Sequence, residues 1–518
     1  MRVIKNHKAL VLIVALIMVG VAGLVFARAS KVSENLLLFD RVMRTVRDDY
    51  VDRVDFEKLI AGAIKGMLGT LDPHSQYLSK KQYDDLMVST HGSFGGLGIE
   101  IDIRNDWLTV IAPIEGTPAH QAGIRGGDRI VRIEGKSTRG ILMTDAVQKL
   151  RGPKGTEVTI TIQREREPEL LDYTITRDVI KIKSVPFATM IDDELGYVRV
   201  AAFSDDTVKE LRSALRDLKA DGMQKLIVDL RRNTGGLLTQ AIAVSEQFLE
   251  PGQMIVSTKG RRETQNREYK AGSRAQGGDY PLVVLVDNQS ASASEIVAGA
   301  VQDLDRGLVV GLPTFGKGTV QSVMTLPAGN ALKLTTAKYF TPSGRCINKD
   351  TYLDDSAIIV PEERKADSST IYYTAGGRMV YGGGGIHPDI EIEPDEIPRI
   401  ASMLARKGLV FEFAVQYVAE NQDIGEDFGY DASLMEEFGA FLAKKEFEYE
   451  DEDFTDGEGF VNVMLRREIA RKVWGDDAAY RISLEGDSQL DKTIELVGNA
   501  NTLSDLFAFA AQQSEVTD

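Results

Sequence analysis

The stretch PLVVLVDNQSASASEIVAGAVQDLDRGLVVGLPTFGKGTVQ, Pro281 to Gln321, sets the fold class. Its opening run PLVVLV is apolar without alternation, as expected of a strand buried on both faces. A polar turn follows, then three serines alternating with alanines, then a helical pattern through SASEIVAGAVQDL. GLVVG reads as a second strand. Strand, helix and strand in this order imply a layered sheet with helices on it. The alternation extends upstream. LGYVRVAAF is a strand, DTVKELRSALRDLKADG an amphipathic helix, KLIVDLRRNTGG a buried strand with a glycine turn, and LLTQAIAVSEQFL a helix. Beyond Lys317 the texture changes, and TVQSVMTLPAGNALKLTTAKYFTPSG is hairpin-like, broken at Pro-Ala-Gly-Asn and Pro-Ser-Gly.

Lys317 is the chemically pointed residue of the opening stretch. Gly311, Gly316 and Lys317 match a phosphate-binding loop, G-x-x-x-x-G-K-[ST], up to its last position. There Gly318 stands where a magnesium-binding hydroxyl is needed. Such a loop also needs a helix directly after the lysine, whose amides face the phosphate. The residues after Lys317 favour strand instead, so a nucleotide-hydrolase reading fails on both counts. The alternating serines offer another role. A serine at a helix N-terminus meets free amides that favour developing negative charge. Any single serine there is an ordinary cap, but three cannot all be caps, which leaves one open to chemistry. A nucleophilic serine needs a base. The five histidines, His7, His74, His91, His120 and His387, are scattered and read as structural. Lysine can replace histidine if burial brings its pKa down from about 10.4, and glycines flank Lys317.

At 518 residues the chain is too long for one core. Its 43% hydrophobic and 27% charged content is ordinary for a globular protein. A net charge of -17 argues against nucleic acid as the main partner. The acidic run KKEFEYEDEDFTDGEG, Lys444 to Gly459, reads as a solvated linker. One cysteine, Cys346, excludes an internal disulfide, no Cys/His set has metal-ligand spacing, and neither metal nor cofactor is expected. The N-terminus is more informative. A basic MRVIKNHK precedes the unbroken apolar residues 9–27, near the ~20 residues that cross a bilayer. Ala27-Arg28-Ala29 also fits a cleavage site. Residues 1–30 are thus a signal anchor or a cleaved signal peptide. Either way the basic flank stays cytoplasmic and the rest faces outward, as in an exported protein of a bacterial envelope.

Residues 33–90 show helical spacing, broken at DPHSQYLS. Residues 92–183 alternate short strands with glycine turns and resemble a PDZ domain. GLGI (Gly96, Leu97, Gly98, Ile99), TPAHQAGIRGGDRIVRIEG, the helix near 144–151 and GTEVTITIQR carry that resemblance. It implies a loop whose backbone N–H groups cradle a C-terminal carboxylate, beside a strand edge that pairs with an extended peptide. Arg151 ends the helix pattern; it could meet an acidic partner, but a lone arginine there reads first as an ordinary surface or domain-contact residue. Residues 398–518 return to helices whose apolar faces suit packing on the core or, failing that, self-association.

SASASEIVAGAVQD followed by GLPTFGKGTVQ closely resembles the C-terminal processing peptidases, the tail-specific Ser-Lys proteases. LDPHSQYL, VDLRRNTGGLL and YFTPSGRCI extend the resemblance over residues 33 to about 395. It implies a multidomain α+β protein: a helical N-terminal region (33–90), a β-barrel-like PDZ domain (92–183), a layered α/β crotonase- or Clp-protease-like core (184–397) and a helical C-terminal extension (398–518). It implies Ser292 as nucleophile, Lys317 as base and Gln321 as the residue that orients the lysine. It also implies an oxyanion hole from the N–H of Ala293 with that of Gly235 or Gly236. Ser290 and Ser294 then serve the turn and the cap. The implied substrates are protein C-terminal tails captured by the PDZ. An adaptor protein, a homo-oligomer and inner-membrane association through residues 9–27 are further expected partners. An inactive PDZ scaffold is the rival reading, and the intact serine, lysine and glutamine argue against it.

Overall fold

A computed structural model describes residues 31–273, 275–349, 370–421, 424–425 and 432–516. The apolar segment 9–27 lies outside them. Among the described residues no helix is long and apolar enough to cross a membrane. The described chain falls into two compact units, divided at Tyr77/Leu78. The first is helical, with a helix through residues 31–49 and another over Phe56–Gly69. Asp55 caps the second by accepting from the Glu57 and Lys58 N–H groups. Its break at Pro73 is set by Asp72, whose carboxylate receives the His74 and Ser75 N–H groups at 2.8 Å each.

The second unit opens with helix Lys80–His91, started by a Ser79/Gln82 capping box and stopped by left-handed Gly92. The chain then enters an antiparallel sheet. Its strand order is Ile99–Arg104, Trp107–Pro113, Arg129–Ile133, Glu157–Gln163, Leu171–Thr176. Helix Met143–Leu150 packs on it through Ala146 and Leu150. Strands Ser93–Gly96 and Asp178–Lys181 pair and bring entry and exit together.

The central sheet runs Phe187–Met190, Leu195–Arg199, Lys225–Asp229, Leu282–Val286, Leu308–Gly311, Ile390–Glu391. Its first pair is antiparallel and the rest parallel. The parallel strands follow one another in a single direction, and right-handed crossovers then place every connecting helix on the same face. Helices Thr207–Ala220, Leu238–Ser245 and Ala293–Asp303 indeed share one core with Leu226, Val228, Val284 and Val286. That leaves the face of Ile227, Val283, Leu285 and Val310 bare, which a parallel sheet does not tolerate. Helices Ser488–Gly498 and Leu503–Val516 cover it through Leu490, Leu496, Val497 and Leu506. Each fully buried leucine there contributes about 1.5–3 kcal/mol. This part of the C-terminal extension is therefore core, as its apolar faces suggested.

The hairpin-like stretch forms antiparallel strands Thr319–Thr325 and Ala331–Phe340, the latter also pairing with Met254–Gly260. Helices Arg399–Lys407, Leu409–Glu420, Ala432–Lys444 and Asp451–Val473 build their own core around Phe413, Phe438 and Leu465. Here the solvated-linker expectation for residues 444–459 gives way. Asp451, Glu452 and Asp453 form the first turn of helix Asp451–Val473, where acidic side chains offset the helix dipole.

Candidate active site

Strand Leu282–Val286 and helix Ala293–Asp303 are joined by a turn so sharp that Ser292 takes φ 55° and ψ -107°. A non-glycine residue in such a conformation costs on the order of 1–3 kcal/mol and persists only where its surroundings enforce it. The surroundings do so. Ser290 Oγ donates to the Leu230 carbonyl at 2.8 Å and accepts from the Asp287 N–H at 2.9 Å. The Ala291 N–H and Ser294 Oγ both donate to the Asn233 carbonyl, at 3.0 and 2.8 Å. The outer serines are fully buried and spent on the turn. Ser292 is partly open; its side chain faces the Glu295 N–H in a capping box, and among the described residues its hydroxyl donates to no acceptor.

The Asn233–Gly236 loop lies against this turn. A Cβ on Gly235, whose φ is 98°, would stand 2.8 Å from Ser292 Cβ and 2.9 Å from the Ala293 nitrogen. Only glycine allows that approach. The Gly235 N–H is already bonded to Asn233 Oδ1 at 2.9 Å. Among the described residues no acceptor engages the N–H of Gly236 or of Ala293. The geometry therefore favours Gly236 over Gly235 as the loop's donor.

Lys317 sits in the loop between strands Leu308–Gly311 and Thr319–Thr325. No helix follows it, which removes the phosphate-loop reading on structural grounds. Glu295, three residues past Ser292, knits loop and turn together. Its Oε2 accepts from the N–H groups of Ser292 (2.7 Å) and Lys317 (3.0 Å). Its Oε1 accepts from Thr314 Oγ1 (2.6 Å) and the Gly316 N–H (2.7 Å). Burial pushes the Glu295 carboxyl above its ordinary range, and these four bonds pull it back. Tyr339, equally buried, places its hydroxyl against the carbonyls of both Ser292 and Lys317. Burial lowers the Lys317 pKa, Lys333 lowers it further, and Glu295 opposes. A lysine so placed is nearer the neutral form a base requires. No hydrogen bond joins Lys317 to Ser292 Oγ. Nor does Gln321 reach the lysine: its amide donates to Thr319 Oγ1 at 2.8 Å and to the Thr319 carbonyl.

Matches to known families cover most of this architecture. Peptidase family S41 matches residues 194–358, a PDZ domain 109–164, the activating protease CtpB N-terminal domain 26–82, and the C-terminal helical domain of probable PDZ-proteases 400–456. The carboxy-terminal-processing protease of Bartonella bacilliformis is 43% identical over 318 residues, which span 61% of this chain and 73% of that protein. The chain belongs to the carboxy-terminal-processing protease family. A probable CtpA-like serine protease of Staphylococcus aureus (strain N315) is 36% identical over 329 residues, 63% of this chain and 66% of that one. Among solved structures, a photosystem II D1 C-terminal processing protease is similar at 29% identity and TM-score 0.37, covering 70% of this chain and 94% of that one.

As a member of that family the chain is a serine protease with a PDZ domain, and the residues that surround the serine and the lysine become intelligible. Asp229 ends a core strand, wholly buried, and receives Tyr197 Oη (2.8 Å), Arg199 Nη1 (2.7 Å) and Arg231 Nη2 (2.8 Å). Burial works against its charge, but Arg231 and Arg199 outweigh it and hold the carboxyl below its ordinary value. Asp229 and Arg231 thus fix the start of the Asn233–Gly236 loop. Asp229, in VDLRRNTGGLL, reads from the sequence as a loop-shaping residue, whereas Arg231, Glu295 and Tyr339 do not stand out. The acid three residues after the serine was the available signal for Glu295, because it is the capping-box spacing.

In the PDZ of this protease, Ile99–Arg104 is an edge strand of its sheet, as peptide pairing requires. Leu97 points into the domain core. The glycines answer first to the chain's own packing. Gly98 has φ 78° and a Cβ there would lie 2.2 Å from Thr117; one on Gly96 would meet the Phe94 ring at 3.0 Å. Arg151 stacks over Phe94 at 4.4 Å and pairs with Asp85 at 3.5 Å, a surface contact between neighbouring elements.

Proposed function

We propose that Ser292 attacks a peptide carbonyl of a captured protein while Lys317 accepts its hydroxyl proton, later passing it to the leaving amine. The N–H groups of Ala293 and Gly236 receive the developing oxyanion. The observation that carries this reading is the strained, partly open Ser292, set between two buried serines and tied through Glu295 to a half-buried lysine. The PDZ edge strand recruits the substrate's C-terminal tail, and tail binding gates the site. Gln321 turns from Thr319 to the lysine when substrate is bound. The protease acts on the outer side of a bacterial inner membrane, held there or released after cleavage near Ala29. An adaptor protein and self-association complete the proposed partners.

The test compares wild type with Ser292→Ala on an unstructured protein carrying a free C-terminal tail. Cleavage by wild type alone supports the reading. Equal cleavage by both, or by neither while tail binding persists, overturns it, the latter in favour of a PDZ scaffold. Fusion of a reporter active only outside the cytoplasm after residue 30 tests the location.

A further inference from the structure

Asp487 belongs to the C-terminal extension, beyond the last segment matched by any of the four families, yet it reaches the active-site scaffold. Its two oxygens grip Arg231 side by side: Nη2 to Oδ2 at 2.6 Å and Nη1 to Oδ1 at 2.9 Å. Gln489 Oε1 accepts from the same Nη1 at 3.1 Å. The pair is largely shielded, with 14% of the Arg231 side chain and 21% of the Asp487 side chain exposed. Paired geometry of this kind fixes direction as well as distance.

Asp487 is itself held from behind. It is the N-cap of helix Ser488–Gly498, with Oδ1 accepting from the Leu490 N–H at 3.1 Å. That helix is anchored by Leu490, Leu496 and Val497 in the second-face core. Gln489 is buried and donates to the Ile392 carbonyl. On the other side, Arg231 is followed by Arg232, at φ 57°, whose N–H bonds Asp287 Oδ1 at 2.9 Å, and then by Asn233. Asn233 is the residue whose carbonyl orders the serine turn and whose side chain sets Gly235. Asp229 holds the guanidinium from one flank and Asp487 from the other. With one flank removed, the loop's anchor is free to swing.

We propose that Asp487 is a positioning residue for the oxyanion loop: through Arg231, the C-terminal extension sets the Gly236 N–H against Ser292. The inference rests on the reading of Ser292 as the nucleophile. It assigns the extension a part in catalysis beyond covering the sheet.

Asp487→Asn and Asp487→Ser separate the two duties of the residue. Both Asn and Ser are good N-caps, so the helix keeps its start. Asn, with its oxygen on the Leu490 N–H, turns its amide toward Arg231 Nη2, donor against donor; Ser cannot reach. Full-length variants are assayed for kcat and KM on a tail-bearing peptide, for affinity toward a peptide boronate that forms a tetrahedral adduct on serine, and for melting temperature. The expected result is a kcat loss on the order of tenfold, typical of partners that orient a reacting group. KM stays near wild type, the melting temperature falls but both variants remain folded at the assay temperature, and boronate affinity falls in step with kcat. Wild-type kcat and boronate affinity in both variants, or losses that only track unfolding, overturn the proposal. Ser292→Ala is run alongside. If it still cleaves, the nucleophile assignment fails; if it is dead while Asp487→Asn is fully active, only the role of Asp487 fails.

Discussion

Glu295→Gln is the most revealing single change. The wild-type carboxylate accepts four hydrogen bonds and donates none. Glutamine replaces one accepting oxygen with a donor. In its cheaper orientation the amide nitrogen faces Thr314 and Gly316, because the threonine hydroxyl can rotate to accept while the Gly316 N–H cannot. One buried N–H is then orphaned, at about 1–3 kcal/mol. The bonds kept by Ser292 and Lys317 fall from charge-assisted to neutral strength, roughly 1 kcal/mol each. The expected loss is about 3–5 kcal/mol in the stability of the catalytic core, read by urea denaturation. Catalysis carries a second signature. The Glu295 anion raises the Lys317 pKa against burial, so its removal lowers that pKa further. A base works when deprotonated, so the acid limb of kcat/KM moves to lower pH. A stability change under about 1 kcal/mol, or an acid limb that stays put or moves upward, refutes the idea that one ionised carboxylate ties the serine turn to the lysine loop.

Lys317→Ala abolishes proteolysis while calorimetric binding of a tail peptide to the PDZ persists; wild-type rates in this variant remove the lysine from the mechanism. Gly235→Ala drives a Cβ into Ser292 and the Ala291 carbonyl and lowers kcat by about 10²–10³, the range for a lost oxyanion donor, with melting curves checking that the core remains folded. Asp229→Asn strips Arg199 and Arg231 of their shared carboxylate and destabilises the core by about 3–5 kcal/mol. Because the folded Asp229 pKa is lowered, its stabilisation is present above the unfolded value near 3.9 and is lost as pH falls through the folded one. The variant therefore has a flatter acid limb of stability, and an unchanged limb contradicts this. Gly98→Ala, with φ 78° and Thr117 in the way, weakens tail-peptide affinity without altering the cleavage of a short peptide that needs no PDZ.

What the amino-acid sequence determined by itself is local and periodic. Unbroken apolar runs such as LVVLV, alternating with helical patterns, announced a layered sheet with helices on it, and the switch to strand-forming residues after Lys317 separated that lysine from a phosphate loop. Glycines announced the turns within residues 92–183, whose resemblance to a PDZ domain named the fold, because φ and steric demands act on one residue and leave its identity as a trace. The tertiary structure alone decided which groups meet. Glu295 reads as one more helical acid until Thr314, Gly316 and Lys317 close around it. Gln321 faces Thr319 rather than the lysine. Arg231 and Asp487 lie 256 positions apart, and no pattern connects them. The apolar faces of the C-terminal helices favoured packing on the core, but only the one-directional strand order showed which sheet face they cover. Periodicity reports how much of each side chain is buried, whereas a hydrogen bond between distant segments depends on where folding carries them. The chemistry of this site is built from such bonds.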